Sequence, residues 1–212
     1  MINVKPVFDI DCRQCPRLAI FLDDVKTKNP TYFCRPVPPF GDADAKLIIV
    51  GLAPGMHGAN KTGRPFTGDF AGVLLYETLF KYGFATQAQS LSADDGLKLV
   101  NCRITNAVKC LPPDNKPLPV EITVCNQFLA AELQALDAGS IVLALGNVAH
   151  LAVLKVFGLK IKDYKFGHAA RYILPNGITL YDSYHCSRYN TQTKRLTEAM
   201  FHEVFAMLKA EL

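Results

Sequence analysis

Short β-branched apolar runs that end in glycine, each followed by a stretch with helical spacing, constrain this chain more than any other feature. Lys46-Leu47-Ile48-Ile49-Val50 runs into Gly51, and Ile141 to Leu145 runs into Gly146. A strand that is apolar at every position has both faces covered, as the strands of parallel sheets do. Between them, Ala71 to Lys81 carries Val73, Leu74, Tyr76, Leu79 and Phe80 as a stripe at helical spacing. The same rhythm predicts a strand over Val100 to Val108, a helix over Val120 to Leu136, a helix over Asn147 to Val156, a strand at about Ile178 to Tyr181 and a closing helix from about Arg195 to Leu208. This alternation implies an α/β fold, a three-layer α/β/α sandwich with a mainly parallel central sheet. Such sheets bind ligands at the carboxyl ends of their strands. The loops after Val50, Thr105 and Tyr181 are therefore the places to look for chemistry.

At 212 residues, half of them hydrophobic, the chain can bury a core and reads as a single domain over 1–212. Its first 45 residues are punctuated by Pro16, Pro30, Pro36, Pro38 and Pro39 around one helix predicted from Arg17 to about Thr27. They read as an arm packed on that core. Met1 to Pro6 shows no basic segment followed by an apolar run, and no stretch approaches the roughly 20 apolar residues of a membrane span. A soluble, cytoplasmic protein with no membrane partner is the expectation. A net charge of +4 is compatible with a polyanionic partner and too small to demand one.

Seven cysteines in such a chain point to thiolates used as ligands or left reduced. Cys12-x2-Cys15 and Cys110-x14-Cys125 form two pairs whose four soft ligands suit zinc or a 4Fe-4S cluster, and spacing does not choose between them. Four buried, reduced cysteines is the plainer reading. Cys34, Cys102 and Cys186 lack a paired spacing and read as core or loop residues. Between the two pairs lies a glycine-rich turn from Gly51 to Asp69, with Gly51, Gly55, Gly58, Gly63 and Gly68 baring the backbone, Lys61 and Arg64 adding charge, and Phe66 offering a face for stacking. Gly55-x4-Asn60-Lys61-Thr62 comes within one residue of a phosphate-binding P-loop. It fails because Asn60 replaces the second glycine and because Gly63 and Pro65 interrupt the helix that should begin there.

These segments together resemble the uracil-DNA glycosylase superfamily, and within it the iron-sulfur-containing B-type branch, family five. The resemblance covers nearly the whole chain. It is carried by Cys12-Arg13-Gln14-Cys15-Pro16-Arg17-Leu18, by Arg35-Pro36-Val37-Pro38-Pro39-Phe40-Gly41-Asp42 and by Gly51-Leu52-Ala53-Pro54. His57-Gly58-Ala59-Asn60-Lys61-Thr62-Gly63-Arg64, Phe66-Thr67-Gly68-Asp69, Asn106-Ala107-Val108-Lys109-Cys110-Leu111-Pro112-Pro113 and His185-Cys186-Ser187-Arg188-Tyr189-Asn190-Thr191 complete it. It implies the superfamily's α/β/α sandwich, a 4Fe-4S cluster on Cys12, Cys15, Cys110 and Cys125, and a monofunctional glycosylase, acting as a monomer near the nucleoid on DNA containing uracil or other deaminated bases.

Residue by residue, the resemblance makes Asn106 the partner of the uracil edge, His185 the donor to a base oxygen, and Phe66 the stacking ring. Gly51, Gly55 and His57 fall in the substrate-binding segments. Gly55 stands where many members carry a water-activating side chain and this branch a small residue, usually alanine, so Asp69 becomes the catalytic carboxylate; the residue also reads as a helix N-cap. Lys61, Arg64, Arg188 and Arg195 are candidates for DNA phosphate contacts, with Asn190 and Tyr189 probing the gap left by a flipped nucleotide. Two departures stand out. Cys186 replaces a common proline, and Lys194 a common glycine. The opposing reading is a non-catalytic iron-sulfur module that binds damaged DNA, and a nucleotide-phosphate enzyme is a third.

Overall fold

The computed structural model describes residues 8–212. The reading of Met1 to Pro6 lies outside them. Within them a six-stranded sheet runs in the order β1-β3-β2-β4-β6-β5, with β1 at Phe40–Gly41, β2 at Leu47–Gly51, β3 at Cys102–Asn106, β4 at Ile141–Leu145, β5 at Arg171–Ile173 and β6 at Thr179–Ser183. The inner four strands are mutually parallel, and the two short edge strands pair antiparallel. The helices are α1 (Pro16–Lys28), α2 (Ala59–Thr62), α3 (Phe70–Lys81), α4 (Pro119–Leu133), α5 (Asn147–Val156), α6 (Arg188–Gln192) and α7 (Glu198–Glu211).

The two-residue period of each inner strand divides the core into layers. Leu47, Ile49, Ile104, Leu143 and Tyr181 point to the side covered by α3 and α7, where Leu75, Leu79, Phe201 and Phe205 meet them. Ile48, Val50, Val142, Ala144 and Leu180 point to the side covered by α4 and α5, against Leu129, Leu133, Ala152 and Val153. Continuous apolar runs in β2 and β4 follow directly, since every one of their residues is buried. The three-layer sandwich is as the sequence implies. No helix among the described residues is long and apolar enough to cross a membrane.

Several boundaries differ from the sequence reading for local reasons. The predicted strand over Val100 to Val108 is β3 alone, because Ala107 and Val108 leave the ladder to bond the carbonyls of Gly51 and Leu52. The closing helix begins at Glu198, not Arg195, because the Thr197 hydroxyl accepts from Met200 N and caps it there. The edge strands escaped the pattern. β1 has two residues, and β5 alternates exposed and half-buried positions without an apolar run.

The connections place the loops for function. The chain leaves β2 toward α3 on one face and leaves the adjacent β4 toward α5 on the other, so the loops at these two strand ends diverge and open a crevice. One close approach beside it tolerates no side chain. A Cβ on Gly72, in the first turn of α3, would lie 1.8 Å from the Phe66 carbonyl oxygen. Gly72→Ala is expected to lower stability by at least about 3 kcal/mol, read as a shift in the denaturation midpoint, since backbone and not a flexible side chain must give way.

Candidate functional site

The crevice is a pocket of about 490 Å³. The carboxyl ends of the four parallel strands all contribute to it: Leu52, Ala53 and Gly55 after β2, Asn106 at the end of β3, Leu145 and Gly146 at the end of β4, and His185 and Ser187 after β6. Phe66, Asp69, Phe70 and Ala71 close it from the glycine-rich turn and α3, and Asn115, Asn147, Val148 and Arg188 complete the rim. Asn106, His185, Phe66, Asp69, Gly55 and Arg188 are thus brought together from positions far apart in sequence.

Asn106 is buried, at 3% exposure, and its Oδ1 has no hydrogen-bond partner. Register explains its seat. Gly51 pairs with Asn106 across the β2–β3 ladder, and a Cβ on Gly51 would meet Asn106 Oδ1 at 2.4 Å and the Phe66 ring at 2.7 Å. Gly51 does not line the pocket; it leaves the room in which these two side chains sit. Phe66 adopts a positive φ of 55°, rare for a bulky residue, and stacks on His185 with ring centroids 5.8 Å apart. An unsatisfied buried amide oxygen costs free energy that a ligand donor can recover.

His185 is held by its own loop. Asn190, in α6, donates from Nδ2 to the His185 carbonyl at 2.8 Å, and the Ser187 hydroxyl caps α6 by accepting from Asn190 N. His185 Nδ1 is buried without a partner, and burial pushes the imidazole pKa down to about 4. The ring is neutral at physiological pH. Asp69 is the helix cap that its sequence context allows: Oδ1 accepts from Gly72 N at 2.9 Å and caps α3, and Oδ2 faces Gly55 and Gly58. Burial raises its pKa despite the N–H groups of Gly72 and Ala71. Gly55 lines the pocket, and a Cβ there would stand 3.6 Å from Asp69 Oδ2, an ordinary contact.

Two expected roles are corrected by burial and orientation. Arg64 is no phosphate contact: it is 4% exposed, lies 4.5 Å from the Phe40 ring centroid, and spends its guanidinium on Asp95 (2.7 Å), Ser90 Oγ (3.0 Å) and the Ala93 carbonyl (2.6 Å). It pins the 86–98 loop instead. Burial works against ionising Asp95, but Arg64 and the N–H groups of Leu97, Leu91 and Ser92 overcome it and hold the carboxyl at about 2. His57 is no pocket residue either. It is exposed and turned away toward the arm, with Nδ1 2.9 Å from the Tyr32 hydroxyl. Of the remaining cationic candidates, Arg188 lines the rim, 5.1 Å from the Phe70 ring centroid, whereas Lys61 and Arg195 are exposed over Tyr32 and Tyr184 outside the lining.

The near P-loop is a scaffold element. Its Lys-Thr pair ends the four-residue α2, and Asn60 is fully buried with Nδ2 donating to Cys34 Sγ at 3.4 Å. Sequence reasoning missed Asn115, Asn147 and Val148 as rim residues. The Pro112-Pro113-Asp114-Asn115 turn signal and the Gly146-Asn147 strand end were the available clues.

Beside the pocket, Cys12, Cys15, Cys110 and Cys125 line one cavity with Leu18, Val108 and Phe128. Burial raises the pKa of Cys15 to about 11 and that of Cys110 further, and in both the other thiols of the set add to the rise. The Lys109 N–H donates to Cys125 Sγ at 3.3 Å. Four thiols around one cavity are soft donors of the kind that metal clusters take. No group of three or more His, Cys, Asp or Glu among the described residues is gathered for a single ion. Cys34, Cys102 and Cys186 are buried elsewhere, as the sequence suggests.

The pocket at the ends of the parallel strands thus gathers an amide with an unpartnered oxygen, a neutral imidazole and an aromatic face. The sequence profile of the Uracil DNA glycosylase superfamily matches residues 38–209, and this chain belongs to that superfamily. It is 45% identical over 203 residues to the type-5 uracil-DNA glycosylase of Thermus thermophilus, covering 93% of this chain and 92% of the relative. The corresponding protein of Pyrobaculum aerophilum is 40% identical over 206 residues, covering 95% and 89%. That of Mycobacterium bovis is 38% identical over 206 residues, covering 93% and 77%.

Arg64→Ala should cost about 3–5 kcal/mol of stability, because it strands Asp95 in a buried setting, and should leave the salt dependence of DNA binding unchanged. Arg188→Ala should do the reverse, weakening DNA binding and flattening its salt slope while leaving the melting temperature in place. Parallel melting and binding titrations separate the two.

Proposed function

We propose that this chain is a monofunctional uracil-DNA glycosylase: it hydrolyses the N-glycosidic bond of uracil, and of other deaminated bases, in DNA and so begins base excision repair. It works as a monomer in the cytoplasm, at the nucleoid. The observation that carries the reading is the buried, unpartnered Oδ1 of Asn106 in the wall of the pocket.

Uracil presents an N3–H donor beside the O4 acceptor, and an amide matches both, Oδ1 accepting from N3–H while Nδ2 donates to O4. Cytosine reverses both polarities, with an acceptor at N3 and an amino group at C4. Refusing it costs the enzyme little, since a buried amide facing the wrong groups goes unpaired. Phe66 offers an aromatic face to the extruded ring.

Breaking the bond leaves the C1′–N1 electron pair on the base and positive charge on the sugar. His185, neutral, donates a hydrogen bond to O2 as the base becomes an anion; a preoriented donor in a water-poor pocket is worth more there than in solution. Asp69, a carboxylate in the pocket lining with Oδ2 toward Gly55, orients water toward C1′ and stabilises the oxocarbenium-like sugar. Water supplies the hydroxyl to C1′, and its remaining proton balances the departing base. Nothing in this scheme uses a lysine nucleophile, so the product is an intact abasic site. Arg188, Lys61 and Arg195 hold phosphates.

The four cysteines hold a 4Fe-4S cluster. When bound, it cross-links the arm carrying Cys12 and Cys15 to the loop and helix carrying Cys110 and Cys125. A purified holoprotein should show broad visible absorbance that Cys125→Ser loses, together with a lowered melting temperature; a colourless wild-type protein containing stoichiometric zinc would overturn this assignment.

A labelled oligonucleotide with one uracil, incubated in EDTA and then treated with alkali, tests the activity. Strand cleavage only after alkali is expected, with Asn106→Ala and Asp69→Ala slowed by about 100-fold or more. Wild-type protein that binds uracil-containing DNA without releasing base would favour the non-catalytic binding module. In the wild type kcat/KM should fall with acid as pH drops through the raised pKa of Asp69, because the carboxylate is the active form. His185 adds no break above about pH 4.

A further inference from the structure

A histidine that donates to a substrate is ordinarily aimed by a hydrogen bond on its other ring nitrogen. His185 has none: Nδ1 is buried without a partner among the described residues, and the ring rests on Phe66 by stacking alone. Its direction is therefore set by the backbone that carries it. That backbone lies just past the sheet. The β4–β6 ladder ends at Ser183, whose carbonyl accepts from Gly146 N at 2.8 Å. The next N–H, that of Tyr184, has a side chain beside it in place of a strand, and His168 Nδ1 accepts from it at 3.2 Å.

The chain is shaped to put His168 there. Ala170 N donates to the Gly167 carbonyl at 3.0 Å and closes a turn, and Ala169 N donates to the Asp182 carbonyl at 2.9 Å, which ties that turn to β6. Ala169 holds a φ of 60°, uncommon for a residue with a side chain. The His168 ring stacks on Tyr184, with centroids 5.1 Å and planes 21° apart. The Ser183 hydroxyl lies 3.4 Å from Nδ1 but donates to the Tyr184 carbonyl at 2.9 Å. A backbone N–H can only donate, so Nδ1 is the acceptor and the proton sits on Nε2. Burial favours the same neutral form by lowering the pKa. Nε2 is buried without a partner among the described residues, a cost that a phenyl ring in this place would not carry. What a phenyl ring cannot do is accept from Tyr184.

We propose that His168 is a positioning residue: by accepting from Tyr184 N it fixes the backbone that aims the His185 imidazole at the departing base. The inference rests on the glycosylase reading. Asn190 Nδ2 holds the His185 carbonyl from the other side, so His185 is bracketed by two side chains, one acting on the residue before it and one on its own carbonyl. His168 is outside the pocket lining. Its loss should therefore appear in turnover, where charge develops on the base, and not in binding.

His168→Phe keeps a ring against Tyr184 and removes the acceptor; His168→Asn places an amide oxygen near the Nδ1 position and gives up the stack. With uracil-containing DNA, His168→Phe should lower kcat about tenfold at unchanged KM, and His168→Asn should bring turnover back to within about threefold of the wild type. In a His185→Ala background, adding His168→Phe should lower kcat no further, because its effect passes through His185. Turnover is read per folded molecule, from a melting curve on each variant. His168→Gln, whose oxygen lies one bond beyond the Nδ1 position, takes the place of His168→Phe if that variant does not fold. An unchanged kcat in His168→Phe, an equal loss in His168→Asn, or a further loss in the His185→Ala background overturns the positioning role. A wild type that releases no uracil would sink the glycosylase reading, and this proposal with it.

Discussion

The Phe66 ring and the Asn106 amide share one small volume above Gly51, and the pocket depends on nothing else occupying it. β2 ends at Gly51 because the ladder register sets that residue opposite Asn106, and β3 ends where Ala107 turns back to the Gly51 carbonyl. From the other side, the bare backbone of Gly72 lets α3 approach the Phe66 carbonyl, which keeps a bulky side chain in a backbone conformation it rarely adopts. Asp69 follows from the same arrangement. As the N-cap of α3, it is placed by the helix that clamps Phe66, so the aromatic face and the carboxylate cannot move independently.

The electrostatics of the site come from burial applied unequally. Burial drives His185 neutral and raises Asp69, while Asn106 keeps an oxygen with nothing to accept. Each of these is unfavourable in the protein by itself. Stability is recovered away from the chemistry, in Arg64 with Asp95, in the Arg17 and Glu121 fork, and in the buried pair of Lys109 with Glu132 at 2.7 Å. Charges that pair this closely hold loops in place and are no longer free to meet DNA.

That division explains which parts of the site were legible beforehand. Asn106, His185 and Asp69 were singled out by the motifs that resemble the superfamily, and the strand pattern by itself marked only the loops in which the first two stand, with a helix cap as the local reading of Asp69. Arg64 carried the same one-dimensional signal as Lys61, a cation in a glycine-rich turn, yet one is buried against Asp95 and the other exposed. No local pattern separates them, because the partner lies 31 residues away in the loop that Arg64 pins. His57 faces away from the pocket because Tyr32, from the arm, takes its imidazole. Asn115 could be read as part of a turn and not as part of a rim, since the other residues of the pocket come from distant elements.

The sequence by itself determined the layers and the end of the sheet where ligands bind. Those follow from local physics: continuous apolar runs need both faces covered, helical stripes supply the cover, and glycine permits backbone that other residues resist. Only the tertiary structure decided which polar groups are spent on the scaffold and which are left for the substrate. Spending requires a partner, and the partners of Arg64, His57 and Arg17 arrive from distant segments. The groups left over, Asn106 Oδ1 above all, are identified by what does not reach them, and that is a property of the packed molecule.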